Sequence, residues 1–282
     1  MSSQAIGVFD SGIGGLSVLK ALRAAMPHED FIYIADSGHA PYGERDEAHV
    51  LARSRAIVQH LVRHKVKALV IACNTATAAA IHLLRAEHPG LPLIGVEPAL
   101  KPAVALSQTG RIGVMATRST LASAKFQALL AAQTGSHAAI EFIVQPCDGL
   151  AHAIECSADS GDMASVAALC TQYTGAMGQF GAQAGDIDTL VLGCTHYPFA
   201  SDTLRALIGP QVQLIDNGEA VARQTRRLIE AKVQPSGAEQ RPGKVSLWTT
   251  GQPQQLQAAA RRWLGLASAP TGHSSCYEHN RG

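Results

Sequence analysis

The chain has 282 residues, which at about 150 residues per domain predicts roughly two domains. Hydrophobic residues make up 46% of it and charged residues 16%, a balance that excludes intrinsic disorder, which requires low hydrophobicity and high net charge. The net charge is +1, from 23 basic and 22 acidic residues, so no strongly basic field exists to hold a phosphate backbone and no nucleic-acid partner is expected.

No apolar run approaches the roughly 18 residues that a membrane-spanning helix requires. The N-terminal segment MSSQAIGVFDSG lacks the basic and apolar regions of a secretory signal, so we expect a cytoplasmic protein without membrane association. In that reducing compartment the six cysteines are expected to be thiols. The chain contains no C-x-x-C pair, and no metal site is predicted.

Short apolar runs alternate along the chain with longer stretches of helical spacing. The first such stretch places Leu16, Leu19 and Leu22 on one helical face. Nine runs are predicted as strands: AIGVF (5–9), FIYIA (31–35), ALVIA (68–72), LPLIGV (91–96), RIGVM (111–115), IEFIV (140–144), DTLVLG (188–193), VQLI (212–215) and KVSLWTT (244–250). The alternation predicts an α/β fold with mostly parallel sheets flanked by helices.

Polar loops follow most of these strands. In open parallel sheets, ligands bind beyond the carboxyl ends of the strands. The loops at those ends are DSGIGG (10–15), DSGHAPYGER (36–45), CNTAT (73–77), EPALKPA (97–103), ATRST (116–120) and CTHYP (194–198). They are rich in small, hydroxyl-bearing and acidic residues, so a functional site is predicted there.

Two segments share one plan, which suggests an internal repeat. ALVIACNTATAA (68–79) and TLVLGCTHYPFA (189–200) each run from an apolar strand through a small residue and a cysteine to a predicted helix start. The repeat predicts two similar lobes, each offering one cysteine from the same structural position.

The predicted lobe boundaries follow from prolines and glycines in the connecting segments. Lobe 1 is predicted to contain residues 1–97 and 212–266, with the strands at 212–215 and 244–250 rejoining it. Lobe 2 is predicted to contain residues 98–211. Residues 267–282 are predicted to form a flexible tail.

Cys73 and Cys194 are the first candidates for chemistry. A helix N-terminus stabilises a thiolate and can lower the pKa of a thiol from about 8.5 toward neutrality, which makes it a usable acid or base. Either cysteine alone can equally be a small buried apolar residue, but their matching contexts favour function. Two groups of similar acidity suit inversion of a carbon centre, whereas a single nucleophilic cysteine with a histidine would suggest acyl transfer.

Asp10 follows the first predicted strand, and His196 lies two residues after Cys194. Asp10 either caps the helix predicted over 14–26 or hydrogen-bonds a thiol or a substrate ammonium. His196 either faces solvent in the first helical turn or assists deprotonation of the thiol of Cys194.

Further polar groups in the strand-end loops are candidates for binding. Asn74, Thr75 and Thr195 directly follow the cysteines and can receive a carboxylate at a helix N-terminus. Tyr42 and Gly43 lie in a ten-residue polar loop that is either a plain turn or a binding loop. The GIGG run is not a dinucleotide fingerprint and no P-loop occurs, so no nucleotide cofactor is predicted.

Five segments together resemble the glutamate racemases: IGVFDSGIGGLSVL (6–19), ADSGHAPYGER (35–45), VIACNTATA (70–78), GVEPALKP (95–102) and LVLGCTHYPF (190–199). The resemblance extends from residue 6 to about residue 264, and the order of its motifs is highly specific. It implies a cofactor-independent enzyme that interconverts L-glutamate and D-glutamate by two-base proton transfer at Cα and supplies D-glutamate for peptidoglycan. It also implies two pseudosymmetric α/β lobes with the active site in the cleft between them.

The resemblance implies a role for each matching residue. Cys73 handles the proton on the D-glutamate side and Cys194 the proton on the L-glutamate side. Asp10 resembles the acid that assists the first thiol, His196 resembles the group that assists the second, and Glu155 occupies the place of a family glutamate near the second cysteine. The positions that match substrate-binding residues are Asp10, Ser11, Tyr42, Gly43, Asn74, Thr75, Thr117, Thr195 and His196.

The nearest alternative is a racemase of the same superfamily that acts on aspartate or a hydantoin. A one-thiol decarboxylase is disfavoured because both cysteines are present. Pyridoxal-dependent chemistry needs a Schiff-base lysine, and none of the seven lysines lies in the densest strand-end motifs. An amino-acid-binding protein without catalysis is the alternative from a different class. The expected partner is glutamate as substrate, and a homodimer is the common default.

Overall fold

The computed structural model describes residues 4–136, 140–231, 241–266 and 271–273. The chain divides into two compact units, one formed by Met1–Val96 with Gly218–Gly282 and the other by Glu97–Asn217. Each unit contains its own sheet, with six strands in the first unit and four in the second. The predicted α/β fold with two parallel sheets flanked by helices is confirmed.

Every pairing between the described strands is parallel. In chain order the strands are β1 (Ile6–Asp10), β2 (Phe31–Ala35), β3 (Ala68–Ile71), β4 (Leu93–Gly95), β5 (Arg111–Ala116), β6 (Glu141–Pro146), β7 (Thr189–Leu192), β8 (Gln213–Ile215), β9 (Val245–Thr249) and β10 (Thr271–His273). Strands β1, β3 and β7 are buried along their whole length, as expected of parallel strands covered on both faces.

The helices lie between these strands. In chain order they are α1 (Leu16–Ala25), α2 (Glu47–Arg63), α3 (Asn74–Glu87), α4 (Leu100–Leu106), α5 (Arg118–Ala122), α6 (Ala124–Ser136), α7 (Leu150–Ser160), α8 (Ala164–Met177), α9 (Ser201–Ile208), α10 (Gly218–Glu230) and α11 (Pro253–Leu264). Helix α2 begins after Asp46, whose side chain caps it by accepting a hydrogen bond from the His49 N–H at 2.7 Å. Among the described helices, none has the length and apolar character needed to cross a membrane.

Four neighbouring strands of the first sheet, β2-β1-β3-β4, have the same topology as the whole second sheet. The first has the order β10-β9-β2-β1-β3-β4 and the second has the order β6-β5-β7-β8. Even the hydrogen bond before each candidate thiol is repeated: the Ala72 N–H donates to the Phe9 carbonyl and the Gly193 N–H donates to the Met115 carbonyl, both at 2.7 Å. Cys73 and Cys194 therefore follow equivalent strands at equivalent positions.

The structure corrects the predicted membership of one strand. β8 pairs with β7, in the register Thr189 opposite Gln213, so the assignment of 212–215 to the first lobe is wrong. The crossover through α9 lays β8 in parallel beside β7, just as the crossover through α3 lays β4 beside β3. The first unit resumes only at Gly218, and Glu97 lies in the second unit.

The predicted tail contains a strand that sequence patterning missed. Residues 271–273 form β10, which pairs in parallel with β9 at the edge of the first sheet. The predicted strand at 244–250 is present as β9 and pairs with β2. The rest of the predicted tail, residues 267–270 and 274–282, lies outside the described residues.

Candidate active site

Cys73 lies at the junction of β3 and α3, where it is the N-cap residue of the helix. Its backbone is extended, with φ −136° and ψ 121°, and its Sγ accepts a hydrogen bond from the Ala76 N–H at 3.4 Å. The first helical turn and the positive end of the helix dipole both favour negative charge at this sulfur. The setting predicted for a stabilised thiolate is therefore present at Cys73.

The hydroxyl of Ser11 lies next to this thiol, and the carboxylate of Asp10 lies next to that hydroxyl. The Sγ of Cys73 lies 3.6 Å from the Ser11 Oγ, and the Ser11 Oγ lies 3.4 Å from an oxygen of Asp10. The other oxygen of Asp10 accepts the Gly15 N–H at 2.6 Å. Asp10 thus binds backbone at the start of α1, as the capping alternative predicts, and it is linked to the thiol indirectly, through Ser11.

The loop after β2 brings Tyr42 close to the same region. Tyr42 is buried and belongs to the hydrophobic cluster that contains Cys73, while Gly43 is half-buried in the same 3-10 turn, Tyr42–Glu44. The Tyr42 hydroxyl donates to Asp36 at 2.5 Å, and burial raises the pKa of this phenol above its usual range. The phenol therefore stays protonated and serves the protein's own packing.

Cys194 follows β7 and has different local geometry. A 3-10 turn, Tyr197–Ala200, comes next, and α9 begins only at Ser201. Pro198 has no N–H to form the α-helical bond back to the Cys194 carbonyl, which accepts the Tyr197 N–H at 3.1 Å instead. The prediction that Cys194, like Cys73, sits directly at an α-helix start is therefore wrong.

A histidine and a carboxylate accompany Cys194 instead. The Nδ1 of His196 lies 3.8 Å from the Cys194 Sγ, and its Nε2 lies 2.5 Å from Glu155 on α7. Burial lowers the pKa of His196, but the bonds to Cys194 and Glu155 raise it, and the net pKa stands well above the usual value for histidine. His196 is 6% exposed, so the alternative of a solvent-facing histidine is wrong.

The remaining candidates also lie at strand ends. Asn74 and Thr75 form the first turn of α3 and are buried, and Thr195 is buried between the cysteine and the histidine of the second unit. Thr117 directly follows β5, and its hydroxyl accepts the Thr120 N–H at 3.3 Å as the N-cap of α5. Each unit therefore carries one thiol and further candidates in the loops that follow its strands.

Sequence reasoning missed Arg53 and Tyr197. Arg53 is 1% exposed on α2, in helical register with the buried residues Val50 and Ile57, and a charged residue in an apolar stripe is a signal that could have revealed it. Tyr197 is buried, its hydroxyl donates to the Cys147 carbonyl at 3.3 Å, and burial raises its pKa. Within the described residues, no group of three or more His, Cys, Asp or Glu side chains is arranged to hold a metal ion.

Comparison with known proteins gives one consistent family. Residues 14–225 match the family model for Asp/Glu/Hydantoin racemases. A glutamate racemase of Ectopseudomonas mendocina (strain ymp) is 44% identical over 268 residues, covering 94% of this chain and 96% of that protein. A solved glutamate racemase isoform from Bacillus anthracis matches with TM-score 0.80 at 31% identity, covering 96% of this chain and 97% of that one. The Escherichia coli glutamate racemase in complex with L-glutamate and the activator UDP-MurNAc-ala matches with TM-score 0.79 at 27% identity, with the same two coverages.

Proposed function

Since the chain belongs to the Asp/Glu/hydantoin racemase family, we propose that it interconverts L-glutamate and D-glutamate, with Cys73 and Cys194 as the two groups that exchange the proton at Cα. The observation that carries this proposal is the pair of thiols at equivalent strand ends, each with its own hydrogen-bonded carboxylate nearby. Because these relatives are glutamate racemases, they favour glutamate over aspartate or a hydantoin as the substrate.

Racemisation at Cα needs a base on one face of the carbon and an acid on the other. In one direction the thiolate of Cys73 takes the Cα proton of D-glutamate, the electron pair moves into the substrate carboxylate, and the thiol of Cys194 protonates the opposite face. The product is L-glutamate, and the two sulfurs have exchanged protonation states. The reverse reaction starts from that exchanged state, so no external acid or base is consumed.

Each unit supplies a different aid to its thiol. The N-terminus of α3 stabilises the thiolate of Cys73, and Ser11 connects it to the carboxylate of Asp10. A cationic His196, held by Glu155, stabilises the thiolate of Cys194. The two thiols thus receive electrostatic support of different kinds.

Backbone and hydroxyl donors provide for the charge that develops on the substrate. The first turn of α3, with Asn74 and Thr75, offers N–H groups and polar side chains to a carboxylate, as helix N-termini do for anions. We assign Tyr42, Gly43, Thr117 and Thr195 to substrate binding as well. D-Glutamate made in this way would serve peptidoglycan synthesis in the cytoplasm, where a reducing environment keeps catalytic thiols reduced. A homodimer remains our expectation for the assembly.

The deciding experiment is incubation of the protein with L-glutamate in deuterium oxide without added cofactor, followed by proton NMR and chiral chromatography. We expect D-glutamate to accumulate with deuterium at Cα. Turnover of aspartate with none of glutamate would overturn the substrate assignment. Tight glutamate binding with no exchange of the Cα proton would identify a binding protein instead of an enzyme.

A further inference from the structure

Asp36 is a buried carboxylate that the proposed proton transfer does not use. It directly follows β2, is 0% exposed, and its N–H donates to the Asp10 carbonyl at 2.9 Å. Arg53 on α2 donates to both of its oxygens, from Nε at 2.8 Å and from Nη2 at 2.6 Å. Two parallel hydrogen bonds of this kind fix the orientation of the carboxylate as well as its distance from the guanidinium.

Stability alone does not account for this pair. Removing two charges from water costs so much that a buried ion pair can often be replaced by apolar residues of similar volume without loss of stability. The other hydrogen bonds made by Asp36 indicate what the pair holds in place.

Those bonds hold the loop between β2 and α2, one of them directly and the other through Thr250, which follows β9. The Tyr42 hydroxyl donates to Asp36 Oδ2 at 2.5 Å, and the Thr250 hydroxyl donates to Asp36 Oδ1 at 2.7 Å. The Gly38 N–H in turn donates to the Thr250 Oγ1 at 3.1 Å. A Cβ at Gly38 would lie 2.6 Å from the Thr250 carbonyl oxygen, so only glycine permits this approach. The loop is therefore held by hydrogen bonds at two places, Gly38 and Tyr42.

Tyr42 connects this anchor with the region of the first thiol. Its ring is 1% exposed and lies in the cluster that contains Cys73, while its hydroxyl is directed to Asp36. The phenol is thus occupied inside the protein, so a contact between Tyr42 and a ligand would have to come from its backbone, next to that of Gly43.

We propose that the Asp36–Arg53 pair is a positioning device for substrate binding: it holds the phenol of Tyr42 and thereby sets the backbone of Tyr42 and Gly43 where it receives a carboxylate of glutamate. This inference rests on the proposed function. Asp36 and Arg53 act through Tyr42, so they are positioning residues.

The sharpest test is Tyr42→Phe, which removes only the hydroxyl oxygen of Tyr42. Both hydrogen bonds from Arg53 to Asp36 stay in place, so we expect the fold to be retained. We expect KM for both glutamate enantiomers to rise about tenfold, the usual effect of losing a hydrogen bond to a charged group. We expect kcat to change less than about twofold, since the lost contact serves ground state and transition state alike. Amide hydrogen exchange should accelerate in a peptide covering residues 37–45 and stay unchanged in β1 and β3.

Tyr173→Phe is the matched control, because the Tyr173 hydroxyl donates to the Asp148 carbonyl at 2.6 Å in the other unit. It should leave KM and the exchange of residues 37–45 unchanged. A wild-type KM together with wild-type exchange in Tyr42→Phe would overturn the inference. If the wild-type protein fails to racemise glutamate, the proposed function falls, and the exchange measurement still tests the anchoring of the loop.

A second pair of variants separates positioning from folding. Arg53→Met leaves the Asp36 charge buried without its guanidinium and should lower the melting temperature, whereas Asp36→Leu combined with Arg53→Met should melt above that single variant. The double variant should still show the raised KM, because Tyr42 has lost its acceptor. Arg55→Met is the control on the same helix: its partner is the exposed Glu87 at 2.6 Å, and both KM and melting temperature should stay at wild-type values. A wild-type KM in the folded double variant would overturn the inference.

Discussion

The Nε2 of His196 lies 2.5 Å from a carboxylate oxygen of Glu155, a residue 41 positions earlier in the chain. Burial disfavours a charge on this imidazole, yet the bonds to Glu155 and Cys194 prevail and raise the pKa of His196 well above its usual value. The histidine is therefore a cation at neutral pH, 3.8 Å from the sulfur of Cys194. A positive charge at that distance attracts the negative charge that forms on the sulfur during proton transfer.

Glu155→Gln should move the pH dependence of racemisation. The substitution removes the carboxylate that helps to raise the pKa of His196, so this pKa should fall. Activity that depends on the imidazolium is lost as pH rises through the pKa of His196, and the alkaline limb of kcat/KM should therefore shift to lower pH. At neutral pH we expect kcat to fall about tenfold. An alkaline limb that stays in place would contradict the assignment of Glu155.

The strands could be predicted from the sequence because parallel strands covered on both faces appear as continuous apolar, β-branched runs. β10 was missed because Thr-Gly-His carries no such signal. β8 was found but assigned to the wrong sheet, since which edge a strand joins is decided by a crossover and not by its own residues. The two thiols could be identified from the sequence because they occupy matching positions in the internal repeat. This repeat arises from the topology that the two sheets share.

The polar partners were harder to predict. Glu155 was assigned through family resemblance, because 41 residues separate it from His196 and no local pattern links them. The pairing of Asp36 with Arg53 spans 17 positions and joins a strand end to a helix. Such buried pairs depend on how elements pack, which periodicity does not report.

Single-thiol variants should uncouple proton exchange from racemisation. In Cys194→Ala the remaining thiol of Cys73 can still exchange the Cα proton of D-glutamate with solvent, but the opposite face has no acid. We expect deuterium incorporation into D-glutamate with racemisation reduced at least about 100-fold, and the converse with L-glutamate for Cys73→Ala. Proton NMR with chiral chromatography measures both. Cys170→Ala, which removes a buried thiol on α8, should retain racemisation, and full turnover by either active-site variant would refute the two-base mechanism.

Gly15→Ala should damage the first unit by displacing Asp10. An added Cβ would lie 2.7 Å from the Asp10 Cβ and 3.1 Å from the Ala72 Cβ, too close for either to remain in place. We expect the free energy of unfolding to fall by about 1–3 kcal/mol and racemisation to fall with it. Gly90→Ala is the control, since nothing lies within 4 Å of its added Cβ, and it should stay within about 0.5 kcal/mol of wild type. Urea denaturation measures the free energy of unfolding, and the racemisation assay measures activity. If both quantities are the same in the two variants, the crowding at Gly15 is relieved without loss of stability and the prediction is wrong.

Cysteine alkylation should separate the thiols of the second unit by their burial. Cys147 and Cys170 are buried, whereas Cys156 is exposed on α7. Burial raises the pKa of Cys170 to about 11 and also raises the pKa of Cys147, which leaves little thiolate at either sulfur near neutral pH. We expect iodoacetamide to label Cys156 at least about tenfold faster than either buried thiol, as peptide mass spectrometry would measure. In urea that unfolds the protein the three rates should converge, because the environments that separate them are gone; a difference that survives unfolding would place its cause in the local sequence instead.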